Sequence, residues 1–231
     1  MKVYKTDDIR NIALIGNAGS GKTTLAEAML FEGGVINRRG EVTAKNTVSD
    51  YNQIEQDYGN SVFSTLLYTE YNGRKINILD TPGMDDLCGS VVAALSVTAL
   101  SIITINAATG VEAGTEAASR HAEDADTPLV FVFNQLDHEN SNFESSLDQC
   151  KSTFGNKVTI VQYPVDAGPN FSSIIDVLKM KMYKYGTNGG KPEIVDIPDS
   201  EKEKADELHN ELVEMAAENE EALMELYFDK G

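Results

Sequence analysis

The chain has 231 residues, 41% hydrophobic and 24% charged, with a formal net charge of −18. That is enough apolar material for one large domain, or for a domain carrying an inserted subdomain, and the acid excess argues against a basic nucleic-acid groove. No run approaches the roughly 18 apolar residues of a membrane span, the N-terminus MKVYKTDDIR has no apolar signal core, and Cys88 and Cys150 lack metal-like spacing, as expected of reduced cytosolic thiols.

In chain order, NIALIG (11–16) reads as a buried strand feeding a Gly-rich loop and the helix KTTLAEAMLF. Residues 33–60 have no clean period, and a loop that long inside a compact domain is usually functional. SVFSTLLYTEY (61–71) and RKINILD (74–80) read as strands joined by Asn72-Gly73, a strong hairpin dipeptide. LSIITINA (100–107) and PLVFVFN (128–134) are near-continuous apolar runs, as central strands covered on both faces should be. Helical segments fall between them, around 86–97 and 112–124. This alternation predicts a doubly wound, mostly parallel α/β sheet with helices on both faces. After about residue 154 the style changes. KVTIVQYPV reads as a strand, NFSSIIDVLKMKM as a helix running into another strand, and EIVDI follows a turn. Two acidic helices, 199–217 and 219–228, then complete a small α+β subdomain. The expected division is 1–154 and 155–231.

Gly16-Asn17-Ala18-Gly19-Ser20-Gly21-Lys22-Thr23, with Thr24 behind it, matches GxxxxGK[ST] between a predicted strand and a predicted helix. Its glycines let backbone N–H groups point at phosphate oxygens, and the helix N-terminus adds partial positive charge. Lys22 is placed for the β- and γ-phosphates and the Thr23 hydroxyl for Mg²⁺. Asp80 closes an apolar strand and is followed by Thr81-Pro82-Gly83, so its carboxylate can serve Mg²⁺ while the Gly83 N–H meets a γ-phosphate. Asn134-Gln135-Leu136-Asp137 has the N-x-x-D form of a guanine reader. An aspartate there accepts from guanine N1–H and the 2-amino group, which adenine lacks, so Asp137 favours GTP over ATP by about 1–3 kcal/mol.

With these motifs in register, the chain resembles the GTP-binding domain of elongation factor G, a P-loop translational GTPase. RNIALIGNAGSGKTTLAEAMLF, SDYNQIEQDYGNSV, KINILDTPG and LVFVFNQLD carry the likeness. GPNFSSIIDVLKMKMYKY and the acidic tail resemble that family's inserted subdomain. The resemblance implies GTP, GDP and Mg²⁺ as cofactors, Ser61 as a further Mg²⁺ ligand from the first switch loop, and the ribosome as partner. It also implies a cytoplasmic, monomeric protein without a membrane role, whose acidic subdomain faces the ribosomal stalk protein. By the same register the family's last guanine-contacting motif lies beyond Gly231. The chain therefore reads as part of a longer factor, with strand 128–134 left at an edge, weak nucleotide affinity, and residues 33–60 disordered or refolded.

Four residues depart from the family's pattern: Met84 replaces the histidine that orients the attacking water, Gly19 an aspartate, Gln135 a lysine and Tyr58 an arginine. Methionine has a weak thioether acceptor and no donor, so GTP hydrolysis is expected to be slow or impaired. Three readings follow: an active translational GTPase, a GTP-binding switch with little or no hydrolysis, and an ATP-using P-loop enzyme, which Asp137 opposes.

Overall fold

The computed structural model describes residues 3–155, 158–186 and 190–218. The chain divides by packing into two units, 1–135 and 136–231.

The first unit is built on a five-stranded sheet of order β2-β3-β1-β4-β5. Its strands are β1 (Ile9–Ile15), β2 (Thr65–Tyr71), β3 (Arg74–Asp80), β4 (Leu100–Asn106) and β5 (Leu129–Asn134). β3, β1, β4 and β5 run parallel, and β2 pairs antiparallel with β3 in a continuous seven-residue register. The hairpin expected at Asn72-Gly73 is present, with φ of 47° and 79° at the two positions. Both are left-handed, which a type I′ turn requires and this dipeptide tolerates. The strand begins at Thr65 rather than at residue 61. β5 stands at an edge, paired among the described residues with β4 alone.

Side-chain alternation along β1 decides what each face carries. Ile12 and Leu14 join Ala26, Leu30, Leu67 and Ile78 in one buried cluster under α1 (Lys22–Glu32). Ala13 and Ile15 are also fully buried and point to the other face. There α3 (Cys88–Leu95) packs on β1, and α4 (Ala113–Asp124) on β4 and on α3. The chain leaves β1 for β2 and β3 on one side and reaches β4 on the other, so the strand order reverses at the C-terminal end of β1. A crevice at such a reversal is where open α/β sheets bind ligands.

Residues 33–60, expected to be disordered or refolded, follow a definite course with one short helix, α2 (Gln53–Tyr58). Asn52 and Glu55 form a capping box at its start, and Gly59 ends it at φ 68°.

The second unit holds α5 (Phe143–Phe154), a four-stranded antiparallel sheet β6-β7-β8-β9, and α6 (Asp199–Glu218). The strands are β6 (Gln162–Pro164), β7 (Ser173–Asp176), β8 (Lys181–Lys184) and β9 (Glu193–Val195). The packing division at Gln135 precedes the expected 154 boundary because residues 136–154 are tied forward. Gly168 N donates to the Leu136 carbonyl at 2.7 Å and to Ser141 Oγ at 3.0 Å. Lys204 Nζ reaches Glu144 Oε1 at 2.8 Å and stands over the Tyr163 ring at 4.7 Å. The Tyr163 hydroxyl donates to Glu201 Oε2 at 3.2 Å.

NFSSIIDVLKMKM is a hairpin, not a helix. β7 and β8 pair antiparallel across a turn in which Met180 takes φ 51° and Asp176 Oδ1 accepts from Lys179 N at 2.9 Å. The β-branched pair Ile174-Ile175 favours the strand, and Ile175 is wholly buried in it. The expected strand in KVTIVQYPV shrinks to the three residues of β6. Of the two acidic helices, the first is α6, and the second, 219–228, lies outside the described residues.

Candidate nucleotide-binding site

The turn from β1 into α1 is held open by its own backbone. Gly21 takes φ 95° at the cap of α1, and a Cβ there would collide with the Asn134 amide. Ser20 Oγ donates to the Asn17 carbonyl at 2.8 Å and meets Thr104 Oγ1 at 2.6 Å, fixing the loop on β4. Asn134 Nδ2 donates to the Ser20 carbonyl at 3.0 Å, and Gln135 Nε2 to the Gly19 carbonyl at 2.9 Å. Two of the departures from the family pattern, Gly19 and Gln135, are therefore in contact. Asp137 belongs to the second unit and is placed here by chain position only.

Lys22 is 6% exposed. Its ammonium turns back on the loop, donating to the carbonyls of Gly16 at 3.0 Å and Asn17 at 2.8 Å. Burial lowers its pKa to about 8, against the opposing pull of Asp80 and Asp50, so it is largely charged at neutral pH. Gly83 lies directly against this group: a Cβ on it would strike Lys22 Nζ and stand 2.7 Å from Ala18 N.

The three residues expected to serve a metal do come together. Thr23 Oγ1 donates to Asp80 Oδ2 at 2.8 Å and lies 3.1 Å from Ser61 Oγ. Burial raises the Asp80 carboxyl to about 6; the hydroxyls of Ser49 and Thr23 and the Lys22 charge oppose the rise, and Asp50 adds to it. Its other oxygen, Oδ1, is buried without a hydrogen-bond partner. Two hydroxyls and a carboxylate are hard oxygen donors of the kind Mg²⁺ takes, and they leave positions for phosphate and water in its octahedral shell. The residues fit the ion.

A cavity of about 220 Å³ opens here, lined by Ala18, Gly19, Gly21, Lys22, Thr23 and Thr24 of the loop. Gly83, Met84, Gln135 and Ser61 complete the expected part of its wall. Met84 also lines a second recess of about 120 Å³, beside Cys88, Val91, Ala118 and His121.

Sequence reasoning missed Val42, Asp50, Gly59 and Asn60, which share the main cavity, and two buried anchors behind it. Glu27 of α1 accepts from Gly40 N at 2.8 Å and Val48 N at 2.5 Å. Glu55 accepts from Val62 N and Phe63 N, both at 3.1 Å. Burial alone would raise the Glu55 pKa; the Asn52 side chain and the N–H groups of Phe63, Val62 and Asn52 outweigh it and hold the carboxyl below its ordinary value. Two signals pointed to these residues: a carboxylate on the otherwise apolar stripe of α1, and the capping-box spacing Asn52-x-x-Glu55.

The family of elongation factor Tu GTP-binding domains matches residues 7–228. The chain belongs to this family. Within it, an elongation factor G-like protein of Thermotoga maritima is 33% identical over 222 residues, covering 96% of this chain and 31% of that protein. A crystal structure of a Thermus thermophilus protein superposes with a TM-score of 0.89 at 32% identity, covering 96% of this chain and 33% of that one. The chain thus spans about a third of the length of these relatives. As a translational GTPase domain of the elongation-factor-G-like type it has the P-loop fold and a guanine-nucleotide site. Among its described helices none is long and apolar enough to cross a membrane.

Proposed function

We infer that this domain binds GTP and GDP with Mg²⁺ as the nucleotide switch of an elongation-factor-G-like translation factor, coupling nucleotide state to ribosome engagement during elongation in the cytoplasm. The meeting of Thr23, Asp80 and Ser61 at the mouth of the phosphate loop carries this reading. Backbone N–H groups of residues 16–24 hold the phosphates, Lys22 supplies positive charge, and Gly83 marks the γ-phosphate side. Asn134 and Gln135 brace the loop, and Asp137 reads the base. Thr23, Ser61 and Asp80 would hold Mg²⁺, which draws charge from the β- and γ-oxygens.

Hydrolysis is the part this chain does poorly. Met84 lies on the cavity wall where the attacking water needs a positioned polar group, and a thioether cannot supply it. Losing one such group typically costs about 10²–10³ in rate. GTP turnover by the full-length protein, with and without ribosomes, tests this. Met84→His is expected to raise ribosome-stimulated turnover by about 10²-fold; no gain overturns the assignment. Tighter binding of ATP than GTP would instead favour an ATP-using enzyme.

The second unit supports a docking role. Glu207 and Glu214 are exposed on α6 and Glu211 is half-buried. They give α6 an acidic face suited to the partly basic domain of a ribosomal stalk protein; the side chain of Glu218, expected on the same face, lies outside the described residues. Charge reversal there weakens stalk binding and leaves nucleotide affinity unchanged, and equal binding by the reversed variant refutes the docking. The domain acts as a monomer without a membrane role.

A further inference from the structure

One carboxylate grips both sides of a loop. Glu27 of α1 is 1% exposed; its Oε2 accepts from Gly40 N and its Oε1 from Val48 N. Between these two residues the chain closes on itself. Ala44 N reaches the Glu41 carbonyl at 3.1 Å, Lys45 N the Val42 carbonyl at 3.0 Å, and Asn46 Oδ1 accepts from Glu41 N at 2.7 Å. The neck is narrow: a Cβ on Gly40 would stand 2.6 Å from the Asn46 carbonyl oxygen and 2.7 Å from Thr47 Cα. Compact loops whose ends are drawn together in this way are frequently functional.

Glutamate is the side chain that this neck requires. Two N–H groups converge on it, and a carboxylate accepts at both oxygens. A glutamine would offer one acceptor and turn an NH₂ group toward the second N–H. Without those donors the buried charge would be costly. The helix fixes where the loop is held. Thr23 and Glu27 share one face of α1, about 6 Å apart along its axis. Thr23 Oγ1 lies 3.1 Å from Ser61 Oγ, so one helix meets residues 40–61 at both ends. The loop also reaches the ligand site, because Val42 lines the nucleotide cavity with Lys22, Thr23 and Gly83.

We propose that residues 40–48 are a lid on the nucleotide cavity and that Glu27 is the positioning residue that fastens it, so that the residence time of a bound guanine nucleotide depends on a carboxylate that lines no part of the cavity. The proposal deepens the nucleotide reading above and rests on it. Val42 is the part of the lid that meets the cavity, and the Glu27 carboxylate keeps it there. Opening the neck strands a buried charge together with two N–H groups. Lys22 and Thr23 stay on α1 when the lid loosens, so their contacts persist and the effect falls on release rather than on capture.

The test uses the 231-residue chain with Mg²⁺ and a fluorescent, non-hydrolysable GTP analogue, with association and release followed by stopped flow and amide hydrogen exchange measured in parallel. Glu27→Gln is expected to release the analogue about tenfold faster, from the loss of one charge-assisted hydrogen bond. Its association rate should be unchanged, and exchange should quicken at residues 40–48 while residues 16–24 keep the wild-type rate. Val42→Ala leaves the neck fastened and is read alone should Glu27→Gln fail to fold. It is expected to release the analogue about threefold faster, from lost apolar contact, without faster exchange at 40–48. Wild-type release from both variants overturns the lid. So does a Glu27→Gln variant whose loop exchanges faster while its nucleotide leaves at the wild-type rate, and unchanged exchange at 40–48 in that variant overturns the fastening. A wild-type chain that binds no guanine nucleotide overturns the nucleotide reading itself, a result distinct from all of these.

Discussion

The phosphate loop and the first switch segment border one cavity and are held by opposite means. Residues 16–24 are braced by donors reaching carbonyl oxygens: Lys22 to Gly16 and Asn17, Asn134 to Ser20, Gln135 to Gly19. Residues 33–63 are braced by acceptors reaching backbone N–H groups, from Glu27 and Glu55. The first arrangement engages the loop's carbonyls with side-chain donors. The second commits N–H groups to the protein's own carboxylates and leaves the Ser61 hydroxyl and the Asp50 carboxylate on the cavity wall. One side of the cavity is thus braced through carbonyls and the other through N–H groups.

Removing the Lys22 charge from the phosphate side should break this contrast most severely. Lys22→Ala is expected to lower GDP and GTP affinity by about 100-fold, the loss of charge-assisted contacts to phosphate, read by fluorescent-nucleotide titration with the fold checked by circular dichroism. The largest effect on stability belongs to Asp80. Its folded pKa, about 6, lies above its ordinary 3.8, so the metal-free protein binds more protons folded than unfolded between these values. Stability from this group is complete below pH 4 and is lost as pH rises through 6, amounting to a few kcal/mol. Asp80→Asn should flatten that part of the metal-free stability curve, measured by urea unfolding from pH 4 to 7. A smaller, local effect is expected at the switch anchor. Glu55→Ala strands the N–H groups of Val62 and Phe63 at about 1–3 kcal/mol. It should speed amide exchange across 52–63 while leaving 16–24 at the wild-type rate; equal acceleration of both would erase the contrast.

The two sides were unequally visible in the sequence. The loop could be read because phosphate binding needs particular residue types at fixed spacing, and Gly21 and Lys22 declare themselves. The hairpin at Asn72-Gly73 was readable for the same reason, a local backbone demand with few solutions. Ser61 was reached through family resemblance and proved to lie beside Thr23. Asp50 was not legible. One aspartate in a polar stretch looks like any other until folding buries it and withholds its partners. SSIIDVLKMKM failed differently: short apolar runs fit either period, and the choice of strand was made by pairing with residues 162–164.

The contact of Gly83 with Lys22 and Ala18 has a mechanical consequence. With a Cβ excluded there, the segment after β3 approaches the Lys22 ammonium and the Ala18 backbone more closely than any residue with a side chain could. That closeness depends on a missing methyl group: an alanine at this position would have to displace Lys22 or the loop backbone at Ala18.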